Sequence, residues 1–244
     1  MLSPEFACAV GVYKPAFLAY CLPSNPSVLP STTLGAVLHW RTEKWYGLLG
    51  VYDGTPGDQD NPHGTQLSLG SDDGIFTGGE WGYTPSEGVK LAVGVWSSTA
   101  PIEDLLTGIE EEQNQGIYAL AARPIGERVA VFTQLGVADD RLNAVSEYFG
   151  AGAQLKALGH SDASLGLAVA HARASGYLGT DKSHETAIEL TYDYPVTRHW
   201  RVQPDVQYVL QPSFTSEIDN AWVFSLRIAS VSYTHLRAHE TTSH

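Results

Sequence analysis

The stretch that decides the fold runs from Glu185 to Leu210 and reads ETAIELTYDYPVTRHWRVQPDVQYVL. Apolar and polar side chains alternate along it, as Ile188 and Glu189 illustrate, and the alternation resumes after a short break at 195–198. A period of two is that of a β-strand, so the stretch predicts an antiparallel hairpin with one apolar and one polar face. Each strand has about ten residues, the length of a strand that crosses a bilayer at a tilt.

Aromatic residues decide between a soluble and a membrane hairpin, because a period of two fits both. Tyr192, Tyr194 and Tyr208 stand at the ends of the apolar rows. Transmembrane barrels carry aromatic girdles at those levels, so the pattern favours an apolar face in lipid and a polar face in the lumen.

The same alternation recurs along the chain and predicts about twelve strands. They are placed at Phe6–Val12, Gly35–Arg41, Lys44–Asp53, Ile75–Thr84, Glu87–Ser97, Gln115–Pro124, Glu127–Ala138, Glu147–Leu158, Ser164–Ala174, His184–Tyr194, His199–Leu210 and Asn220–Ala229.

The connections between these strands alternate between long and short. The long ones include Gly54–Gly74 and Ser98–Asn114, and the short ones include Thr42–Glu43 and Pro195–Arg198. Outer-membrane barrels have short periplasmic turns and longer extracellular loops. We therefore expect an all-β, antiparallel up-and-down transmembrane barrel, with its C-terminus in the periplasm.

Composition narrows the classes of function. The chain has 244 residues, 43% of them hydrophobic, and no apolar run long enough for a spanning helix. Its net charge of −13, without a basic cluster, argues against nucleic acid as a partner. Cys8 and Cys21 are the only cysteines; a disulfide and two free thiols are both compatible with the sequence.

The two ends do not follow the strand pattern. MLSPEFACAV lacks the basic region of a signal peptide, so we expect the chain to begin inside a longer protein. The last residues, VSYTHLRAHETTSH, look like adapter read-through. The expected division is a weak strand and long loop at 1–34, a barrel segment at 35–230 and a non-native tail at 231–244.

Catalytic and metal motifs give no support for an enzyme. Glu110, Glu111 and Glu112 form a carboxylate run in a polar loop, where a solvated acidic loop is the better interpretation. The loop DGTPGDQDNPHG has spaced acids but lacks the closing Glu of a calcium loop. His235 and His239 have metal-like spacing only inside the anomalous tail. We predict no catalysis, no cofactor and no metal site.

Residues 191–214, TYDYPVTRHWRVQPDVQYVLQPSF, resemble the C-terminal hairpin of the carbohydrate-selective porins, the OprB-like family. GLLGVYDGTP, FTGGEWGY and QGIYALAARPIGERVAVFTQLG look like further strands of that family. The resemblance implies a Gram-negative outer-membrane porin that passes sugars and small solutes without energy coupling. It also implies a parent barrel of about sixteen strands, of which this chain would hold about twelve.

The polar residues at alternate positions of the hairpin are the candidates for lining a solute path. Neutral sugars need paired donors and acceptors, and aromatic faces such as those of Trp81, Trp96 or Tyr118. Arg201 and Asp205 share one parity, so we expect the carboxylate to hold the guanidinium. The alternative is that neighbouring charges simply satisfy each other in a wet lumen. The lumen-facing candidates are Arg201, Asp205, Gln203, Gln207, Glu189, Asp193 and Arg227.

Two other classes fit the polar faces less well. A soluble, lectin-like β-sandwich would expose the same residues to solvent and would stay monodisperse without detergent. A glycoside hydrolase would need two carboxylates at a fixed separation across a cleft.

Overall fold

The computed structural model describes residues 35–53, 74–111 and 113–230. Eleven strands form one antiparallel sheet, in which each strand pairs with the next one along the chain. The strands of this sheet are β1 Gly35–Arg41, β2 Trp45–Asp53, β3 Ile75–Tyr83, β4 Lys90–Ser98, β7 Asn114–Ile125, β8 Val129–Ala138, β9 Val145–Lys156, β10 Ser164–Ala174, β11 His184–Pro195, β12 Trp200–Leu210 and β13 Ala221–Ser230. The prediction of an all-β, up-and-down antiparallel fold is confirmed.

The strand bounds follow the sequence pattern to within three residues. The first predicted strand, Phe6–Val12, lies outside the described residues, as do Cys8, Cys21, the 54–73 part of the long loop and the tail from 231. β9 begins and ends two residues earlier than predicted. As a result the connection 139–144 is no longer than 157–163, and the long–short alternation expected for this pair is absent.

One predicted loop contains structure of its own. Between β4 and β7 a short hairpin forms from β5, Ile102–Glu103, and β6, Glu110–Glu111. The Asp104 carboxylate accepts hydrogen bonds from the backbone N–H groups of Leu106 at 2.8 Å and Thr107 at 2.9 Å. A side chain that satisfies the turn in this way is a local signal of an Asx-type turn, which the strand period does not reveal.

The two faces of the large sheet differ in chemistry and in burial. One face carries exposed apolar side chains such as Val95, Leu167 and Phe224. The other, which we call the inner face, carries small or polar side chains that are mostly buried, such as Ala168 and Gln207. No second layer covers the inner face within the described residues, so the sheet must curl towards it to bury those side chains. No helix in the described ranges is long and apolar enough to cross a membrane.

The connections at the long-loop end of the sheet are tied to one another. Asn114 and Asn143 exchange two side-chain amide hydrogen bonds, of 3.1 and 2.9 Å, in a buried position. Arg141 forms an ion pair with Asp104, and its carbonyl accepts from the Leu105 N–H at 2.8 Å. The 99–113 and 139–144 connections are therefore joined by both side chains and backbone.

Candidate functional site: the polar inner wall

Nine inner-face side chains form a band across the last three strands, which we call the polar ladder. Alternation puts them on the inner face, and the antiparallel register aligns them across strands. They are Glu189, Thr191 and Asp193 on β11, Arg201, Gln203, Asp205 and Gln207 on β12, and Ser225 and Arg227 on β13.

Arg201 forms the strongest pair of the ladder. Its Nη2 lies 2.6 Å from Asp193 Oδ2 and its Nε 3.1 Å from Asp193 Oδ1, which is a bidentate arrangement. Nη2 also donates to the Asp162 carbonyl at 3.0 Å. The side chain of Arg201 is 35% exposed while that of Asp193 is 9% exposed. The carboxylate therefore orients the guanidinium, and the guanidinium is the group that solvent reaches.

The expected contact between Arg201 and Asp205 is not formed. Residues four apart on one strand are separated by about 13 Å, so sharing a parity does not bring their side chains together. Arg201 instead stands opposite Pro195 and reaches diagonally to Asp193 on the neighbouring strand. Asp205 accepts a hydrogen bond from Ser225 Oγ at 3.1 Å.

Two further pairs close the ladder between β11 and β12. Gln203 Nε2 donates to Thr191 Oγ1 at 2.9 Å, and Gln207 Nε2 donates to Glu189 Oε2 at 2.8 Å. All four side chains are buried. Arg227, opposite Gln203 on β13, is exposed. Most predicted ladder residues thus bind one another, and Arg201 and Arg227 are the cations that face open space.

A second inner-face group lies on the early strands, and sequence analysis missed it. We call it the Glu80 cluster; it comprises Tyr46, Glu80, Lys90 and Tyr118. Glu80 accepts from the Tyr46 hydroxyl at 2.5 Å and the Tyr118 hydroxyl at 2.8 Å, and Lys90 Nζ lies 3.3 Å away. Lys90 also lies over the Tyr46 ring, 5.2 Å from its centre. Four strands therefore converge on one carboxylate.

Of the three aromatic residues proposed for the lumen, Trp96 and Tyr118 lie on the inner face and Trp81 does not. Trp81 follows Glu80 directly, so the two point to opposite faces, and Trp81 is 60% exposed on the apolar side. The prediction for Trp81 is wrong. The glycines of IFTGGEWGY hid the parity of this strand, because Gly carries no side chain to mark a face.

Glycines let the inner-face rings lie flat against the sheet. A Cβ on Gly82 would stand 2.0 Å from the Tyr46 ring, and one on Gly94 would stand 2.1 Å from the Tyr118 ring. Each glycine is the cross-strand neighbour of its aromatic partner. The rings therefore cover bare backbone instead of projecting away from the wall.

Two histidines of the described chain, His160 and His171, have local partners. His160 packs edge-on against Tyr194 with ring centres 5.9 Å apart, and its Nδ1 accepts from the Asp162 N–H. His171 lies 2.8 Å from Thr186 Oγ1 and packs against the His184 ring. Within the described part of the chain, no three His, Cys, Asp or Glu side chains come together as a metal site.

Comparison with known proteins agrees with the all-β fold of this chain. A solved structure described as the high-pH structure of Pseudomonas putida OprB matches with a TM-score of 0.73 at 19% identity, over 82% of this chain and 59% of that one. Porin B of Pseudomonas aeruginosa strain PAO1 is 23% identical over 235 residues, covering 77% of this chain and 52% of that protein. This chain thus spans about half the length of the curated relative that it matches.

The profile of one protein family covers most of the chain. The family described as carbohydrate-selective porin, OprB family, matches residues 13–231. The chain therefore belongs to the OprB family of carbohydrate-selective porins.

Proposed function

We propose that this chain forms part of the wall of an outer-membrane channel for passive diffusion of sugars and small polar solutes. Its family consists of channels rather than enzymes and belongs to the Gram-negative outer membrane. The single observation that supports the proposal most strongly is the division of the large sheet into an outer face of exposed apolar side chains and an inner face of small or polar ones. A lectin-like sandwich would instead need a second sheet packed on the first.

The polar ladder suggests how the wall handles a solute. Buried pairs such as Gln207 with Glu189 hold the wall in shape, because the Gln207 amide donates to the Glu189 carboxylate across the two strands. Arg201 combines fixed orientation with exposure, so its guanidinium is the group that would donate to sugar hydroxyls. Asp193 takes the positioning role that we first gave to Asp205.

The Glu80 cluster is a second contact region for the same path. Lys90 is partly exposed beside a largely buried carboxylate, and the Tyr118 ring lies against the wall beside it. A cation next to a flat aromatic face suits a sugar ring, which has polar edges and apolar faces. We therefore assign solute contact to Arg201 and Lys90, with Glu80 and Asp193 as positioning residues.

Current-block measurements in planar bilayers test this assignment. Protein from outer membranes would carry Arg201→Ala, with Val206→Ala on the apolar face as the matched control. We expect glucose to block the ion current about tenfold less well in Arg201→Ala, since a charge-assisted hydrogen bond is lost. The lumen should also become more cation-selective. Equal block in wild type and Arg201→Ala would remove Arg201 from the path.

Orientation has its own test. The short turn 196–199 should face the periplasm and the connection 211–220 the cell exterior. Variants carrying a single cysteine, Arg198→Cys or Glu217→Cys, would be treated on intact cells with a membrane-impermeant maleimide. Labelling at position 217 alone is expected, and labelling at position 198 alone would reverse the topology.

A further inference from the structure

An apolar groove of about 600 Å³ runs along the outer side of the sheet, opposite the inner face. One wall is aromatic: the Trp45 ring packs against Trp81 and Tyr83, with ring centres 5.7 and 4.4 Å apart. The other wall includes Leu135 on β8. Between the walls the floor is formed by Leu91 and Val93 of β4 and by the smaller outward residues Ala119 and Ala121 of β7. The groove is therefore a trough two or more strands wide in a surface otherwise covered by larger apolar side chains.

The position of the groove places it in the periplasmic half of the membrane. Trp45 begins β2 and Tyr83 ends β3, both next to the short turns at this end of the sheet. Trp and Tyr are the residues that sit at the level of lipid headgroups in transmembrane barrels. The trough thus opens at the interface and extends from there towards the middle of the bilayer.

An exposed cation, Arg123, stands at the interfacial end of the trough. Arg123 is the next outward residue after Ala121 on β7, about 7 Å further along the strand. It is exposed, and its cross-strand neighbour on β8 is Val131. Its outward neighbours on β7 are Ala121 and Ile125, so no carboxylate adjoins it on its own strand. Among the described residues the Arg123 side chain takes part in no ion pair. Arg173, an outward cation on β10 at the other, long-loop end of the sheet, is paired with Glu147 at 2.7 Å.

We propose that this groove binds one acyl chain of an anionic phospholipid of the periplasmic leaflet, with the lipid phosphate held by Arg123. The inference rests on the membrane placement given by the family and adds a site that sugar permeation does not require. A chain lying between the aromatic wall and Leu135 touches protein on three sides, so it gains more dispersion contact than on a flat surface. The guanidinium matches a phosphate in a bidentate way and reaches the headgroup level along its apolar stem.

The charge of the site favours a lipid over a second copy of the chain. A second copy that covered the trough with its own equivalent face would have to place a carboxylate opposite Arg123. The residues that line the trough on that face include no carboxylate. A phospholipid supplies both the anion and the apolar chain in one molecule. Anionic lipids gain roughly a fivefold preference from one basic residue near the membrane surface.

Native mass spectrometry of the protein purified in mild detergent tests the proposal. The protein would be incubated separately with phosphatidylglycerol, phosphatidylethanolamine and diacylglycerol. We expect one retained phosphatidylglycerol, about fivefold preferred over phosphatidylethanolamine. Ala121→Trp fills the floor of the trough and should reduce retention of both phospholipids at least about tenfold. Arg123→Gln should keep acyl-chain binding and lose the anionic preference.

Matched variants control for general damage to the surface. Val169→Trp adds the same ring to an outward position on β10, outside the groove, and should retain lipid as wild type does. Arg173→Gln removes an outward cation from the other end of the sheet and should leave the preference unchanged. Equal lipid loss in Ala121→Trp and Val169→Trp would overturn the groove site. A preference that survives Arg123→Gln would overturn the phosphate contact, and a dimer mass that disappears in Ala121→Trp would assign the groove to a second copy.

Discussion

Two stretches of the inner wall are built in different ways. On the early strands large rings lie over glycines and converge on one carboxylate, as Tyr46 does over Gly82 beside Glu80. On the last three strands short polar side chains pair directly across neighbouring strands, as Gln203 does with Thr191. Alanines line the inner face of β10 between these two regions.

The contrast shows two physical solutions to one problem. An inner sheet face that borders open space must satisfy its polar groups and still leave that space free. In the Glu80 cluster the rings lie flat because the neighbouring strand has glycine beneath them, so this region depends on glycine. In the polar ladder the side chains are short and bind directly across neighbouring strands, so this region depends on strand register. Substitutions should therefore damage the two regions by different routes.

The largest effect should come from a side chain added beneath a ring. Gly82→Val would place a Cβ 2.0 Å from the Tyr46 ring and displace it from Glu80. We expect a loss of about 3 kcal/mol in the free energy of unfolding. Gly79→Val on the same strand is the control, because the nearest atom to its Cβ is 3.7 Å away. Urea unfolding from lipid vesicles measures both, and equal stability of the two variants would contradict the ring-over-glycine account.

A smaller loss should follow from removing the charge at the centre of the cluster. Glu80→Gln keeps the shape but leaves Lys90 without its carboxylate and weakens the bonds from Tyr46 and Tyr118. The expected cost is about 2 kcal/mol. Glu147→Gln breaks an ion pair whose side chains are both more than half exposed, and should cost under about 1 kcal/mol. The same unfolding assay compares them; similar costs would mean that the cluster behaves as a surface pair.

The ladder should be less sensitive to the loss of one neutral bond. Gln203→Met keeps the length of the side chain and removes its donation to Thr191. The Thr191 hydroxyl would still donate to the Pro204 carbonyl at 3.4 Å, so we expect a loss of about 1 kcal/mol. Gln115→Met at an exposed outward position is the control. A loss for Gln203→Met as large as that for Glu80→Gln would remove the distinction between the two regions.

The two regions should differ least in how their loops respond to pH. Each region has one loop stabilised by a carboxylate, Asp104 in the early strands and Asp181 in the last ones. Burial raises the pKa of the Asp104 carboxyl, but hydrogen bonds from Thr107 and Leu106 and the charge of Arg141 outweigh it, leaving the pKa below its ordinary 3.8. The Ser216 side chain and N–H lower the pKa of Asp181 in the other region despite some desolvation. A depressed pKa in the folded state means that these carboxylates stabilise the loops above the ordinary value and cease to do so as pH falls through the lower one.

Hydrogen exchange corrected for its intrinsic rate can follow this behaviour. Protection of 102–111 and 211–219 should be unchanged from pH 7 to pH 5 and fall only below the ordinary pKa of 3.8. Asp104→Asn and Asp181→Asn should already lack part of this protection at pH 7, each in its own loop. Protection lost between pH 7 and pH 5 would contradict the depressed pKa values.

Much of the fold could be predicted from residues alone, because side-chain orientation in a strand follows from alternation. The eleven strands of the described sheet coincide with predicted strands, and Tyr192 and Tyr208 lie on the outward side as a girdle requires. The family resemblance seen at 191–214 agrees with the family match over 13–231. What failed locally was β3, where Gly78, Gly79 and Gly82 carry no side chain to reveal parity.

The sequence by itself determined which side of a strand each ladder residue occupies, because a period of two is a property of one strand. Only the tertiary structure decided which residue meets which. Asp193 rather than Asp205 binds Arg201 because the contact crosses from β12 to β11, and that register depends on the turn between the strands. Glu80 gathers partners from β2, β4 and β7, far apart in the chain. Arg123 gains its apolar trough only when residues of β2, β3, β4 and β8 come together with those of β7. Such contacts depend on strand order and register in three dimensions, which alternation along a single strand does not encode.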